Sequence, residues 1–214
     1  MKLVCYNIHI GTDEFRRMTL FQLIGYLKSL DCDVICLQEV LHYQFKLMKI
    51  LLKMDGVFGL HVNNRKMKFG ICILSKNKIN YSSHLLLSSK TEQRGLLSID
   101  IDDKIIINTH LGLDKEERKI QISEILDFAK NQNKNIVICG DFNEKNINLS
   151  SYKDAAKYLC KDLYPTFKTS RIDYVFVSSI IDIKSYEIDQ VLYSDHFPII
   201  VKILKKVNCE YLEK

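Results

Sequence analysis

The chain is most constrained by its alternation of short apolar runs with longer amphipathic stretches. Eleven runs rich in Val, Ile, Leu and Tyr, bounded by Asn, Asp, Gly or Lys, predict strands at 2–6, 33–37, 57–62, 70–74, 81–87, 95–101, 104–109, 135–139, 173–177, 184–192 and 198–204. Ile101-Asp102-Asp103-Lys104 reads as a tight hairpin turn. Leu20, Leu23, Ile24, Leu27 and Leu30 at helical spacing predict a helix over 20–30, with Thr19 and Gln22 as its capping box. Further helices are expected over 43–53, over 115–131 with Asp114 as N-cap, and more weakly over 151–160. The expected fold class is therefore α/β, with two packed, mostly antiparallel β-sheets flanked by helices. No Pro/Gly linker or internal repeat divides the 214 residues, so one domain over 1–214 is expected.

Composition narrows the class by exclusion. Apolar residues make up 47% and charged residues 27%, as in ordinary globular chains, which argues against a disordered or collagen-like protein. No apolar run approaches the roughly 18–20 residues of a spanning helix. Cys5, Cys32, Cys36, Cys72, Cys139, Cys160 and Cys209 form no CxxC pair and are odd in number. Most sit in apolar runs, which favours core thiols in a reducing compartment over disulfides or zinc. The N-terminus has no signal-type apolar region, and a cytoplasmic location is expected.

Six apolar runs end or begin in a residue able to bind a metal or move a proton. Asn7 follows Leu3–Tyr6; Gln38-Glu39 follow Val34–Leu37; His110 follows Ile105–Thr109. Gly140-Asp141-Phe142-Asn143 follow Ile136–Cys139, Asp173 opens Tyr174–Val177, and Asp195-His196 precede Pro198–Val201. Strand ends converge on one sheet edge, where α/β folds place their sites. Hard oxygen ligands without a thiol suit Mg²⁺ or Mn²⁺ rather than zinc or copper. Histidines among carboxylates favour attack by water over a covalent intermediate, and phosphoester hydrolysis needs this set of parts.

Tyr6-Asn7-Ile8-His9, Leu37-Gln38-Glu39-Val40, Asn108-Thr109-His110-Leu111, Arg118-x-x-Gln121, Gly140-Asp141-Phe142-Asn143, Arg171-Ile172-Asp173-Tyr174 and Ser194-Asp195-His196-Phe197-Pro198 follow in that order. The series resembles the endonuclease/exonuclease/phosphatase superfamily, which implies a DNase I-like four-layer α/β sandwich. The resemblance implies Glu39 as main metal ligand, with Asn7 and Asp195 completing or orienting that shell. It implies His196, paired to Asp173, as a contact to the scissile phosphate. Asp141 would orient or deprotonate the attacking water, Asn143 would bind a phosphate oxygen or position that water, and His110 would be a second donor. Arg94 matches a looser position that aids substrate binding, and Arg118 and Gln121 are expected to make structural contacts near the His110 loop. His9, two residues past Asn7, stands out from His42, His61 and His84, which are read as surface or packing residues.

The implied activity is Mg²⁺- or Mn²⁺-dependent hydrolysis of a phosphodiester, in nucleic acid, a phospholipid head group or a small molecule, by a monomer. The alternative is a non-catalytic module of the same fold that binds nucleic acid or an anionic membrane. Three departures bear on substrate: there is no Trp, Val40-Leu41-His42 lacks the Lys that some nucleases carry after the glutamate, and Ile71 stands where Asn is frequent. They argue against an abasic-site endonuclease of the usual type, and the short chain suggests a minimal catalytic core. Between His42 and Lys68 lie Lys46, Lys49, Lys53, Arg65, Lys66 and Lys68 against Asp55 alone, equal to the net charge of +5. That segment is either a solvated face or a basic shoulder for an anionic partner.

Overall fold

A computed structural model of the chain describes residues 1–64 and 67–204. Cys209, and Arg65 and Lys66 of the basic segment, lie outside the described residues. Two six-stranded sheets pack face to face. The first has the order β11 (Ile183–Ile188), β12 (Ile199–Ile203), β1 (Lys2–Asn7), β2 (Val34–Leu41), β4 (Lys68–Ser75), β3 (Asp55–Asn63). The second runs β5 (Tyr81–Leu87), β6 (Arg94–Ile101), β7 (Lys104–His110), β8 (Asn135–Asp141), β10 (Asp173–Ser178), β9 (Tyr152–Asp154). In each sheet one central pair is parallel, β1 with β2 and β7 with β8, and the other pairs are antiparallel. Parallel neighbours need a crossover. Helix α1 (Leu20–Leu30) supplies the first and α3 (Lys115–Lys130) the second.

Strand parity divides the apolar residues into three layers. Leu3, Cys5, Val34 and Cys36 meet Ile106, Val137, Cys139 and Val175 between the sheets. The alternate residues Val4, Tyr6, Ile35 and Leu37 pack under α1 and α2 (His42–Leu52). Ile105, Ile107, Ile136 and Ile138 pack under α3. Both faces of the central strands are covered, so those strands read as continuous apolar runs rather than alternating ones. The result is the helix–sheet–sheet–helix sandwich expected from the sequence. Cys5, Cys32, Cys36, Cys72 and Cys139 are buried free thiols and Cys160 is exposed and free.

The two sheets are bolted together by a buried amide pair. Gln38 Nε2 of β2 donates to Asn108 Oδ1 of β7 at 2.6 Å, and Asn108 Nδ2 donates to the Leu37 and Cys72 carbonyls, each at 3.0 Å. Close contact within the second sheet depends on Gly140, at φ +150°, where an added Cβ would run into the Thr109 carbonyl. That contact sets His110 directly beside Asp141 in the β7–β8 register.

Several local expectations yield to tertiary contacts. The Thr19 hydroxyl donates to the Tyr193 carbonyl at 2.6 Å and makes no capping bond, so the predicted box with Gln22 does not form. Asp114 does cap α3, accepting from the Glu117 amide. The segment expected to be helical over 151–160 begins as strand β9 along β10, and only one helical turn, α4 (Ala155–Tyr158), follows behind its Asp154 cap. The strand expected over 184–192 stops at Ile188, and the Asp189 carboxylate accepts from the Tyr26 hydroxyl at 2.7 Å. His61 and His84, from the edge strands β3 and β5 of different sheets, stack with ring centroids 5.7 Å apart.

Neither ring nitrogen of His61 has a partner among the described residues, and burial, with His84 and Arg94 nearby, depresses its pKa to about 3. A depressed imidazole contributes stability in full above the unfolded value of about 6.5 and loses it as pH falls through about 3. His61→Phe is therefore expected to flatten the loss of stability between pH 6.5 and 3. Urea midpoints across that range check it, and an unchanged acid slope would show that His61 is protonated equally in both states.

Candidate active site

The polar residues at the strand ends meet along one edge of the sandwich. Asn7 ends β1, His110 ends β7, Asp141 ends β8 and Asp173 begins antiparallel β10, opposite Asp141. Glu39 lies on β2 where its pairing with β4 slips between Leu37 and Val40, and its backbone is left-handed at φ 53°. Such a bulge re-aims a side chain at a strand end, here a half-buried carboxylate. His9 (φ 46°) and Asn143 (φ 49°) at the same edge are also left-handed.

Asp141 is the hub. Its Oδ2 accepts from Asn7 Nδ2 at 3.0 Å and lies 3.5 Å from His110 Nε2 and 3.6 Å from His196 Nε2. Its Oδ1 accepts from the Asn143 amide at 2.9 Å. Asn7 Nδ2 also donates to Glu39 Oε1 at 3.2 Å, while Asn7 Oδ1 accepts from the His9 amide. Asn7 therefore faces the two carboxylates as a donor that holds their spacing. His196 Nδ1 lies 2.9 Å from Asp173 Oδ2, and the Thr166 hydroxyl accepts from the Asp173 amide. The Ser194 hydroxyl donates to the Asn7 carbonyl, anchoring the loop that carries Asp195 and His196. Asp195 Oδ1 lies 3.6 Å from His9 Nδ1, giving the histidine singled out by its sequence position a partner at the site.

Arg94 is buried rather than open to a ligand. Its Nη1 lies 3.2 Å from His110 Nδ1 and 2.8 Å from Glu92 Oε1. A guanidinium only donates, so His110 Nδ1 accepts and its Nε2–H faces Asp141. Behind this face, Arg118 donates to the Gly112 and Leu113 carbonyls and pairs with Glu144, while Gln121 Oε1 accepts from the Gly112 amide. Asn143 Nδ2 donates to the Leu111 carbonyl, tying the loop after β8 to the loop after β7. On the Asp195 side a cavity of ≈ 90 Å³ is lined by residues including Phe15, Lys168, Asp195 and Phe197. The Phe167 ring lies against His196 at 4.6 Å.

The charges at this edge are out of balance. Burial and the neighbouring Asp173 push Asp141 up to about 7. Burial opposes protonation of His196, but Asp173, and then Asp141 and Asp195, outweigh it and carry the imidazole up to about 10. Burial, with Arg94, His196 and His61, drives His110 well below the usual value, so it is neutral at pH 7. The His196 imidazolium thus faces Asp141, Asp173 and Asp195. Single ligand atoms of Asp141, Asp173 and His196 lie within 4.8 Å of one another. The protonated His196 has no lone pair to give a metal, so the donors that suit a divalent cation here are the hard carboxylate oxygens of Asp141 and Asp173 and of Glu39, which Asn7 joins to Asp141.

Gln38, Asn108, Ser194 and Thr166 support the site, although nothing in the sequence marks them as site residues. Gln38, Asn108 and Ser194 stand inside the quoted motifs, but only the meeting of the sheets shows what they brace. Asp173→Asn removes the closest negative charge on His196, so the ring is expected to titrate at distinctly lower pH than wild type. NMR titration of the His196 ring carbons checks this, and an unshifted midpoint would mean that Asp173 does not hold the proton.

Residues 6–196 match the Endonuclease/Exonuclease/phosphatase family. The chain is 24% identical over 170 residues to the uncharacterized protein YbhP of Escherichia coli K12, covering 67% of this chain and 66% of that protein's length. Among solved structures, an endonuclease/exonuclease/phosphatase from Beutenbergia cavernae superposes with a TM-score of 0.82 at 18% identity, over 95% of this chain and 71% of that one. TDP2 of D. rerio, complexed with single strand DNA product, superposes with a TM-score of 0.80 at 16% identity, over 96% and 99%. The strand-end motifs, the two-sheet sandwich and a family match across nearly the whole chain agree: this protein belongs to the endonuclease/exonuclease/phosphatase family, whose members are hydrolases acting on phosphoesters.

Proposed function

We propose that this chain is a divalent-metal-dependent phosphodiesterase that cleaves its substrate by direct attack of water. The observation that carries this reading is His196 flanked by Asp141 and Asp173, with Asn7 joining Asp141 to Glu39, all assembled from strand ends of both sheets. Glu39 would hold Mg²⁺ or Mn²⁺, with Asp195 completing or orienting that shell and Asn7 bridging Glu39 and Asp141. The cation, when bound, supplies Lewis-acid stabilisation of the phosphoryl oxygens. His196, kept protonated by Asp173, donates to a phosphoryl oxygen as charge builds on it. Asp141, raised to about 7, is poised near neutrality to take a proton from water. The neutral His110 is braced by Arg94 and offers Nε2–H from the other side, so Arg94 acts through His110. Asn143 sits beside Asp141 to position the water or a phosphate oxygen.

The substrate class is a phosphodiester, and the single strand DNA product complexed with D. rerio TDP2 supports including nucleic acid in it. No helix among the described residues is long and apolar enough to cross a membrane, and six described cysteines are free thiols. A reducing, cytoplasmic setting and a monomeric enzyme complete the proposal.

The test is hydrolysis of bis-p-nitrophenyl phosphate with Mg²⁺ or Mn²⁺ against EDTA. Metal-dependent turnover is expected, with Glu39→Ala weakening metal activation and His196→Ala losing on the order of 10²–10³ in turnover. Folded protein inert toward this and a wider phosphoester panel would falsify the enzyme reading. A His196→Ala variant with wild-type rates would overturn the assignment of its role.

A further inference from the structure

The basic segment that begins three residues past Glu39 has an apolar side not used by the reaction. In α2, Phe45 and Met48 point into the core under the first sheet. The outward side carries Tyr43 (57% exposed), Ile50 (72% exposed) and Leu51, with Leu47 half-buried beside them. At 100° per residue Tyr43, Leu47 and Ile50 form one stripe, and Lys46 and Lys53 lie together along its flank. The stripe runs into an apolar cavity of ≈ 460 Å³ lined by Leu41, His42, Tyr43, Met67 and Lys68. Leu41 belongs to the same strand as Glu39 and is paired with Phe69 of β4, so the cavity adjoins the candidate active edge.

We propose that the outer face of α2 and this cavity form a docking surface for an anionic phospholipid bilayer. The charge argues for that occupant, because among the described residues this segment carries Lys46, Lys49, Lys53 and Lys68 against Asp55, which pairs with Lys49. The apolar stripe makes the choice between anionic partners. Tyr43 offers one ring, but Leu47, Ile50 and Leu51 beside it gain nothing from a solvated phosphate backbone and carry no face on which a second base could stack. An interfacial helix needs this combination: apolar side chains that enter the boundary region and lysines that stay at the head groups. The packed face keeps α2 on the sheet while its outer side engages lipid. The proposal rests on the phosphodiesterase reading only for its purpose, which is to bring a lipid phosphodiester to the Glu39 edge.

Co-sedimentation of the full chain with vesicles of equal phosphatidylglycerol and phosphatidylcholine, against phosphatidylcholine alone, tests it without turnover. Preferential binding to the anionic vesicles is expected. Lys46→Glu should weaken it about five-fold or more, from ~1 kcal/mol per basic residue at such a surface. Ile50→Ser should weaken it as well, and both variants should keep wild-type melting and wild-type hydrolysis of the soluble diester. Equal binding to both vesicle types overturns the proposal. So does binding that Lys46→Glu reduces and Ile50→Ser leaves unchanged, with the same pattern on a single-stranded oligonucleotide, since that marks a nucleic-acid surface. Absence of soluble-diester hydrolysis in the wild type would remove the phosphodiesterase reading while leaving the vesicle result standing.

Discussion

Everything at the active edge depends on the amide pair that crosses between the sheets. Gln38 and Asn108 are fully buried, and Asn108 alone reaches one side chain and two carbonyls of the opposite sheet. An apolar seam is indifferent to small slips, because dispersion contacts are non-directional. Gln38 Oε1 has no partner among the described residues, but losing the three buried bonds that Asn108 makes would cost roughly 1–3 kcal/mol each, which favours this register. Gln38 immediately precedes Glu39, and Asn108 lies two residues before His110, so the same register fixes where those side chains meet.

The electrostatics follow from that convergence. Two buried carboxylates side by side cannot both ionise without counter-charge, and His196, held by Asp173, supplies an imidazolium next to Asp141 and Asp173. His110 is excluded from that role by burial and by Arg94 behind it. The surplus negative charge that remains attracts a cation and repels a bare phosphate anion.

The sandwich was legible because its cause is local. Runs such as Val34–Leu37 and Ile136–Cys139 carry β-branched apolar residues, and Leu20–Leu30 repeats at helical spacing. Glu39, Asp141 and His196 stood out for a related reason: a polar group that ends or precedes an apolar run lies at a sheet edge. Features set by partners distant in sequence were not legible. Thr19 has the chemistry of a cap, but the Tyr193 carbonyl is the acceptor it meets. Strand β9 is three residues long and exists because β10 offers an edge. Arg94 lies behind His110 because of the β6–β7 register, which no spacing rule reveals. The bulge that turns Glu39 inward depends on how β2 pairs with β4.

Two of the close polar contacts at the edge span the two sheets. Asn7 belongs to the first and Asp141 to the second; His196 leads into β12 of the first, while Asp173 opens β10 of the second. The site therefore works like a vernier, whose two scales are the sheets themselves. A slip well below one residue would stretch the 2.9 Å Asp173–His196 contact past hydrogen-bonding range while both β-ladders stayed whole. Loosening of the sandwich would thus reach the chemistry before it reached the fold, and the tightness of an otherwise ordinary apolar seam becomes a property of the active site.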